Sequence, residues 1–362
     1  MLAERNKKME NDICTLCPRE CKVNRSEGKI GYCSVGGEET YVSMASLHLW
    51  EEPYISGTSE MQKDPDCPIN GSGTIFFAGC NMHCVYCQNY AISKSETGKA
   101  YSVAELANLM LDLQDRGAAN INLVTPTHYT PQIIEAVKLA RLGTKTEAGE
   151  KSRSMATGAM INEKLRKLDI PIVYNCSGYE KVETLKLFEG IVDIYLTDFK
   201  YMDAEIAKKY SNAPDYPDVA KEALKEMYRQ QPKLVFGDVM TTSAATIKIA
   251  SNMNKNTDEN SEYIPMLKKG VVVRHLLLPG CTKNAMSVMK YLHEEYGDNI
   301  NVSLMSQYTP VDDIQKRAPE LNRKVTKREY EKVISYCLDN DMDNVFIQEG
   351  DVARESFIPH FS

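Results

Sequence analysis

"TIFFAGCNMHCVYCQNY", residues 74–90, joins two signals whose meeting decides the fold. Its first six residues are an apolar, β-rich run of strand length. That run ends directly on Cys80, the first of three cysteines spaced C-x3-C-x2-C: Cys80, Cys84 and Cys87. In parallel α/β sheets, ligands sit beyond the carboxyl ends of the strands, which is where this stretch puts its thiols. Three thiols are one fewer than a closed tetrahedral site uses. A [4Fe–4S] cluster normally takes four thiolates, so three leave one iron open to a substrate or cofactor.

The same alternation continues outward. "INLVT" (121–125), "IPIVYN" (170–175), "IVDIYLTDF" (191–199), "VVVRHLLLP" (271–279) and "NVSLMSQY" (301–308) are further apolar runs. Helix-period segments separate them. Ser102 and Glu105 read as a capping box ahead of Val103, Leu106, Met110 and Leu113. Thr130-Pro131 reads as an N-cap and first helical residue, and 217–230 and 285–296 are amphipathic. A second T-x-x-E signal, Thr326 and Glu329, precedes a stripe of Tyr330, Val333, Ile334, Cys337 and Leu338. Near-continuous apolar strands alternating with helices predict a parallel sheet covered by helices. Periodicity alone fits a doubly wound sheet and a partial barrel equally well. Either way the strand ends gather polar residues: Thr125, Thr127, His128, Asn175, Ser177, Asp198, Lys200 and Gln307. Arg274 and His275 sit inside the fifth run, and a charge there must be paired or bind a ligand. Alternation sends the two to opposite faces without saying which faces inward. Tyr129 and Tyr308, at strand ends, are candidates for a radical path or substrate contact.

Of 362 residues, 43% are hydrophobic, and the formal net charge is −7. That balance gives no diffuse attraction to nucleic acid or anionic lipid. The small basic group Lys164, Arg166 and Lys167 reads as a solvated face. No signal-peptide pattern and no apolar run of membrane-spanning length is present, so the expectation is a cytoplasmic protein with no membrane partner. Residues 238–270 contain "SNMNKNTDENSEY" and read as an exposed polar insertion; 143–160 is also polar.

Eleven cysteines in such a chain point to metal or redox chemistry more than to disulfides. Four of them, Cys14, Cys17, Cys21 and Cys33, stand near the N-terminus at C-x2-C-x3-C-x11-C among turn-forming residues. A segment this short cannot build its own core, and four ligands close a site. A second metal, either an Fe–S cluster or zinc, is expected there. Cys176, Cys281 and Cys337 read as ordinary buried thiols.

The C-x3-C-x2-C loop, with Tyr86 before the last cysteine and a strand before the first, resembles the radical S-adenosylmethionine (SAM) superfamily. That resemblance implies a partial (β/α)6 TIM-like barrel, here with a cysteine-rich N-terminal extension. It implies a [4Fe–4S] cluster on Cys80, Cys84 and Cys87, with SAM chelating the open iron. Reductive cleavage of SAM then yields a 5′-deoxyadenosyl radical that abstracts hydrogen from a substrate. The stretch "TDFKYMD" (197–203) resembles the D-x-K-x-x-D stretch of glycyl-radical-enzyme activases. By that resemblance Asp198 and Lys200 contact SAM. Tyr86, Thr125, Thr127, His128, Asn175, Ser177 and Arg274 complete the expected cofactor contacts. A Gly-Gly-Glu stretch common in the family is replaced by "VTPTHY" (124–129).

Across residues 14–310 the chain resembles the PflX-type branch, similar to pyruvate formate-lyase activating enzyme. The expected organisation is a metal-binding segment over 1–71, the barrel over 72–310 and a helical extension over 311–362. The expected partners are SAM, a low-potential reductant such as flavodoxin or ferredoxin, and a protein or peptide substrate. Two alternatives stay open: action on a small molecule or on SAM itself as a lyase, and a non-catalytic electron-transfer module.

Overall fold

All six apolar runs become strands of one sheet. The computed structural model describes residues 13–63, 67, 69–94, 97–143, 166–241 and 263–347. Its strands are β1 (Thr40–His48), β2 (Ser72–Phe77), β3 (Lys99–Tyr101), β4 (Ile121–Val124), β5 (Ile172–Cys176), β6 (Ile194–Asp198), β7 (Val235–Thr241), β8 (Tyr263–Leu276), β9 (Asn301–Met305) and β10 (Val345–Ile347). Their order is β10-β9-β8-β6-β5-β4-β2-β1-β3, with β7 paired only to β8. From β2 through β10 every neighbour on this path is parallel. Each of these strands lies beside the next along the chain, so the order never reverses. A doubly wound sheet must reverse at its switch point. The observed winding is that of a barrel left open, consistent with the partial-barrel expectation.

Two strands come from outside the 72–310 span. β1 runs antiparallel to β2, and β10 extends the other end of the sheet. The expected polar insertion is also partly structured. β7 and the first half of β8 form an antiparallel ladder from Val235↔Lys269 to Thr241↔Tyr263. Met266 and Leu267 are buried there, because the short "YIPML" run supplies a core face the polar reading passed over. Residues 242–262 of that insertion, most of 143–160, and Lys164 lie outside the described residues. Arg166 is not part of a free basic patch, since it pairs with Asp112 at 2.8 Å and Asp115 at 2.6 Å.

Both capping boxes are present, at Ser102/Glu105 and Thr326/Glu329. One start differs. The helix Thr130–Leu142 is capped by Tyr129, and Thr130 Oγ1 instead donates to Thr127 O at 2.7 Å. The helices Val103–Asp115, Tyr216–Gln230 and Thr282–Tyr296 bury their apolar faces against the sheet. Each fully buried Leu, Ile, Phe or Met there contributes about 1.5–3 kcal/mol. In the helix Lys327–Asp339, Val333 and Cys337 are buried but Leu338 is 66% exposed. No described helix is long and apolar enough to cross a membrane.

Candidate active site

The triad loop is built where β2 ends. At Gly79 the chain turns with φ +85, and a Cβ there would meet Cys33 O at 2.5 Å and Val35 at 2.8 Å. Only glycine meets both demands. The next residue, Cys80, donates its N–H to Cys33 O at 3.1 Å, so the N-terminal segment backs the loop directly. Asn81 Nδ2 donates to Tyr179 O at 2.9 Å, and Val85 N–H to Tyr210 O at 2.8 Å. Arg19 braces the same loop. Its guanidinium lies between the rings of Tyr32 and Tyr179, and Nε donates to Asn81 O at 2.9 Å.

Held this way, Cys80, Cys84 and Cys87 border a cavity of about 1150 Å³ at the carboxyl end of the sheet. Thr125, Asn175, Ser177, Asp198, Lys200, Arg274 and Gln307 border it from the strand ends, and Tyr86 from the loop itself. Thr125 reaches this position through a left-handed backbone, φ 58. Arg274 turns into the cavity and His275 away from it: His275 is buried with Nδ1 2.7 Å from Phe199 O. Four charges then interlock. Lys200 Nζ lies 2.6 Å from Asp198 Oδ2, and Arg274 Nε 3.3 Å from Asp198 Oδ1. Arg274 also pairs with Glu51 at 2.9 Å and donates to Asn175 Oδ1 at 2.6 Å. Two cations offset two carboxylates, which is how charges tolerate burial. Burial pushes Asp198 up, but Lys200 and Arg274 outweigh it and hold the carboxyl below its usual range. Burial also pulls against the ammonium of Lys200, and Asp198 more than compensates, so its pKa is raised.

The thiols respond differently. Burial pushes Cys80 up to about 11 and Cys87 to about 12, so neither is a thiolate near neutral pH by itself. A bound metal displaces such protons outright. Gln307 Oε1 is buried beside the cavity with no hydrogen-bond partner, an acceptor suited to a ligand's ammonium or hydroxyl. Three thiols on one loop, cations beside them and an unused buried acceptor fit an iron–sulfur cluster with SAM.

Two expected contacts are corrected. Thr127 and His128 are buried behind the strand ends and do not border the cavity. Thr127 Oγ1 donates to Glu180 Oε1 at 2.9 Å, and His128 Nε2 lies 2.7 Å from Ala78 O. Burial pulls the His128 imidazole down to about 3, so it stays neutral. Thr127 Oγ1 and His128 Nε2 are thus committed to partners inside the protein, and His128 Nδ1 is buried away from the cavity without a partner. Tyr129 and Tyr308 are likewise core residues. Tyr129 packs on Phe77, and Tyr308 donates to Leu321 O at 2.9 Å. The sequence reading missed Glu51 and Trp50, which reach the cavity from the loop after β1. The acid pair Glu51-Glu52 before Pro53 was a visible signal, but its partner Arg274 lies 223 residues away.

Cys14, Cys17, Cys21 and Cys33 lie behind the triad loop, and none borders the cavity. Cys14 N–H donates to Val23 O and Lys22 N–H to Cys14 O, closing a tight loop. Cys17 and Cys33 are buried, Cys14 and Cys21 half-buried. Among the described residues, no three Cys, His, Asp or Glu side chains stand together as a single metal ion would need.

The family model described as "Radical SAM superfamily" matches residues 74–242. An uncharacterized protein of Methanocaldococcus jannaschii is 26% identical over 344 residues, covering 92% of this chain and 76% of its own. Among solved structures, SuiB of Streptococcus suis bound to S-adenosylmethionine aligns at 12% identity with a TM-score of 0.41. That alignment covers 76% of this chain and 50% of SuiB, so the chain spans about half of SuiB's length. A radical SAM methyltransferase from Sphaerobacter thermophilus aligns at 11% identity with a TM-score of 0.46, over 82% of this chain and 70% of its own. The family match opens in the strand that delivers Cys80 and takes in all three triad cysteines, so over residues 74–242 the chain is similar to the radical SAM superfamily, and it is an enzyme.

Proposed function

We propose that Cys80, Cys84 and Cys87 hold a [4Fe–4S] cluster with SAM on its open iron, in an enzyme of the PflX-type branch that takes hydrogen from a protein or peptide. When bound, that pair of cofactors supplies one-electron cleavage of the sulfonium and hence a 5′-deoxyadenosyl radical. The chain's own residues hold and shield it. Lys200 and Arg274 present positive charge to the methionine carboxylate, and Asp198 and Gln307 accept from the ammonium or a ribose hydroxyl. Thr125, Asn175, Ser177 and Tyr86 orient the nucleotide. Phe76, Leu276 and Met305 form an apolar wall that excludes water and stray hydrogen donors.

The observation that carries this reading is the sharing of one cavity by the three thiols and the Asp198–Lys200–Arg274 network. The peptide preference rests on the rim, where Trp50 is 54% and Leu338 66% exposed. Large apolar side chains exposed at a cavity mouth suit a macromolecular partner better than a closed small-molecule pocket. A glycyl-radical partner, a flavodoxin or ferredoxin as reductant, and an Fe–S cluster or zinc on the N-terminal quartet complete the proposal.

The test is anaerobic reconstitution with iron, sulfide, a strong reductant and SAM, followed by product analysis. 5′-Deoxyadenosine is expected from the wild type and not from Cys84→Ala. Methylthioadenosine would redirect the reading to a lyase acting on SAM. No turnover by a wild type with a full cluster would leave an electron-transfer module.

A further inference from the structure

Cys84 Sγ takes a hydrogen bond from a side chain outside the triad loop, whereas Cys80 Sγ takes one from Met82 N–H within it at 3.4 Å. Ser211, the last residue of the helix Ala204–Ser211, places Oγ 3.0 Å from Cys84 Sγ as a donor. Ser211 is 1% exposed, so water does not compete for that proton. Tyr201 OH lies 2.8 Å from Ser211 Oγ, and Tyr86 OH lies 2.7 Å from Tyr201 OH. Distances alone leave the direction of the last two bonds open, but counting protons decides it. Each hydroxyl owns one proton, and a metal-ligating sulfur owns none. If Ser211 gives its proton to sulfur, Tyr201 must give to Ser211, and Tyr86 must give to Tyr201. The result is a one-way row of three donors that starts and ends on the same cysteine loop.

The row is also held in place. Arg19 Nη2 donates to Ser211 O at 3.2 Å and Nη1 to Asn212 O at 2.6 Å. Aligned hydrogen bonds polarise one another, so the terminal bond is stronger than an isolated one. A donor aimed at a ligating sulfur draws electron density from it and favours the reduced, more negative cluster. Hydrogen bonds to sulfur are among the levers that set Fe–S potentials.

We propose that Ser211, backed by Tyr201 and Tyr86, is a positioning residue that raises the reduction potential of the cluster held through Cys84. This rests on the radical SAM reading of the triad and adds to it the residue that sets the electron's entry.

The test is a redox titration of reconstituted protein, followed by EPR of the reduced cluster. The signal that changes on adding SAM identifies the triad cluster. Ser211→Ala is expected to lower the reduced-to-oxidised ratio at fixed potential about tenfold, a shift of about 59 mV. Ser211→Thr keeps the hydroxyl and is expected to hold the wild-type potential. Tyr201→Phe leaves Ser211 on the sulfur but removes the donor behind it, so a smaller shift of the same sign is expected. An unshifted Ser211→Ala with full iron content, or a Ser211→Thr that shifts as far as alanine, would overturn the proposal. Should Ser211→Ala fail to assemble a cluster, Tyr201→Phe decides, and no shift there sinks it. A wild type that assembles no [4Fe–4S] cluster would instead remove the underlying reading, and this proposal with it.

Discussion

The triad and quartet loops touch through Cys80 N–H to Cys33 O, Arg19 Nε to Asn81 O and the stacked rings of Tyr32 and His83, yet they occupy opposite environments. The triad's thiols border a cavity lined by Lys200, Arg274 and Asp198. The quartet's thiols face their own loop, with Cys17 and Cys33 buried and none on the cavity. Three cysteines fall within eight residues in each, Cys80–Cys87 and Cys14–Cys21, so local cysteine density is not what separates them. The separation comes from what stands opposite the sulfurs: a charged, open cavity in one case and, for Cys21 and Cys33, the packed loop around Gly31, Val23 and Val35 in the other. An open space with fixed charges can receive a cofactor's polar end, whereas a closed loop can only hold what its own ligands saturate.

The largest effect should come from the charge network, because it exists only on the triad side. Arg274→Met takes one cation from between Glu51 and Asp198. Breaking a buried ion pair by removing one partner costs about 3–5 kcal/mol, reduced here because Lys200 and Asn122 still serve the two carboxylates. SAM affinity measured by calorimetry should fall at least tenfold. Arg19→Met removes stacking on Tyr32 and Tyr179 and the hydrogen bonds to Asn81 O, Ser211 O and Asn212 O; it should lower thermal stability, and lower SAM affinity less than Arg274→Met does, since Arg19 braces the triad loop from behind and does not border the cavity. Equal loss of SAM binding in both variants would erase the distinction between the regions.

Much of this architecture was legible because strands and caps are local signals. The six apolar runs, both capping boxes and the C-x3-C-x2-C loop needed no partner to be read. What escaped was long-range. β1 and β10 are short or half-buried strands that owe their pairing to β2 and β9. Glu51 means nothing until β8 brings Arg274 beside it. Thr127 and His128 sat at the right strand end, but the 3-10 turn Thr127–Tyr129 rotates them onto buried acceptors, a rotation no composition encodes. Ser211 was invisible for the same reason, lying 127 residues from the sulfur it touches.

An intermediate effect is expected at the junction. Gly79→Ala would place a Cβ 2.5 Å from Cys33 O in a backbone with φ +85. The left-handed conformation alone costs an L-residue about 1–2 kcal/mol, and the contact with backbone cannot relax cheaply. The melting temperature should fall, and iron retention by the triad should fall together with retention of any metal the quartet holds. A loss confined to the triad would show that the quartet folds independently of it, contrary to the shared bond.

The smallest effect should be the most discriminating. Gly31 has no positive φ, and a Cβ there would meet Cys21 Sγ at 3.2 Å and Cys33 Sγ at 3.4 Å. Without a metal, both sulfurs end rotatable side chains and can give by a few tenths of an ångström. Gly31→Ala then gains about 0.4–1 kcal/mol by restricting the unfolded chain, which roughly cancels the crowding. With a metal, the sulfurs are pinned by their bonds and cannot retreat, so the same methyl group competes with the ligand geometry. Metal analysis of Gly31→Ala against wild type reads the difference. Reduced content of one metal, with SAM cleavage retained, makes the quartet a metal site in its own right. Unchanged content and unchanged melting temperature make it a thiol-lined brace for the loop that carries Cys80.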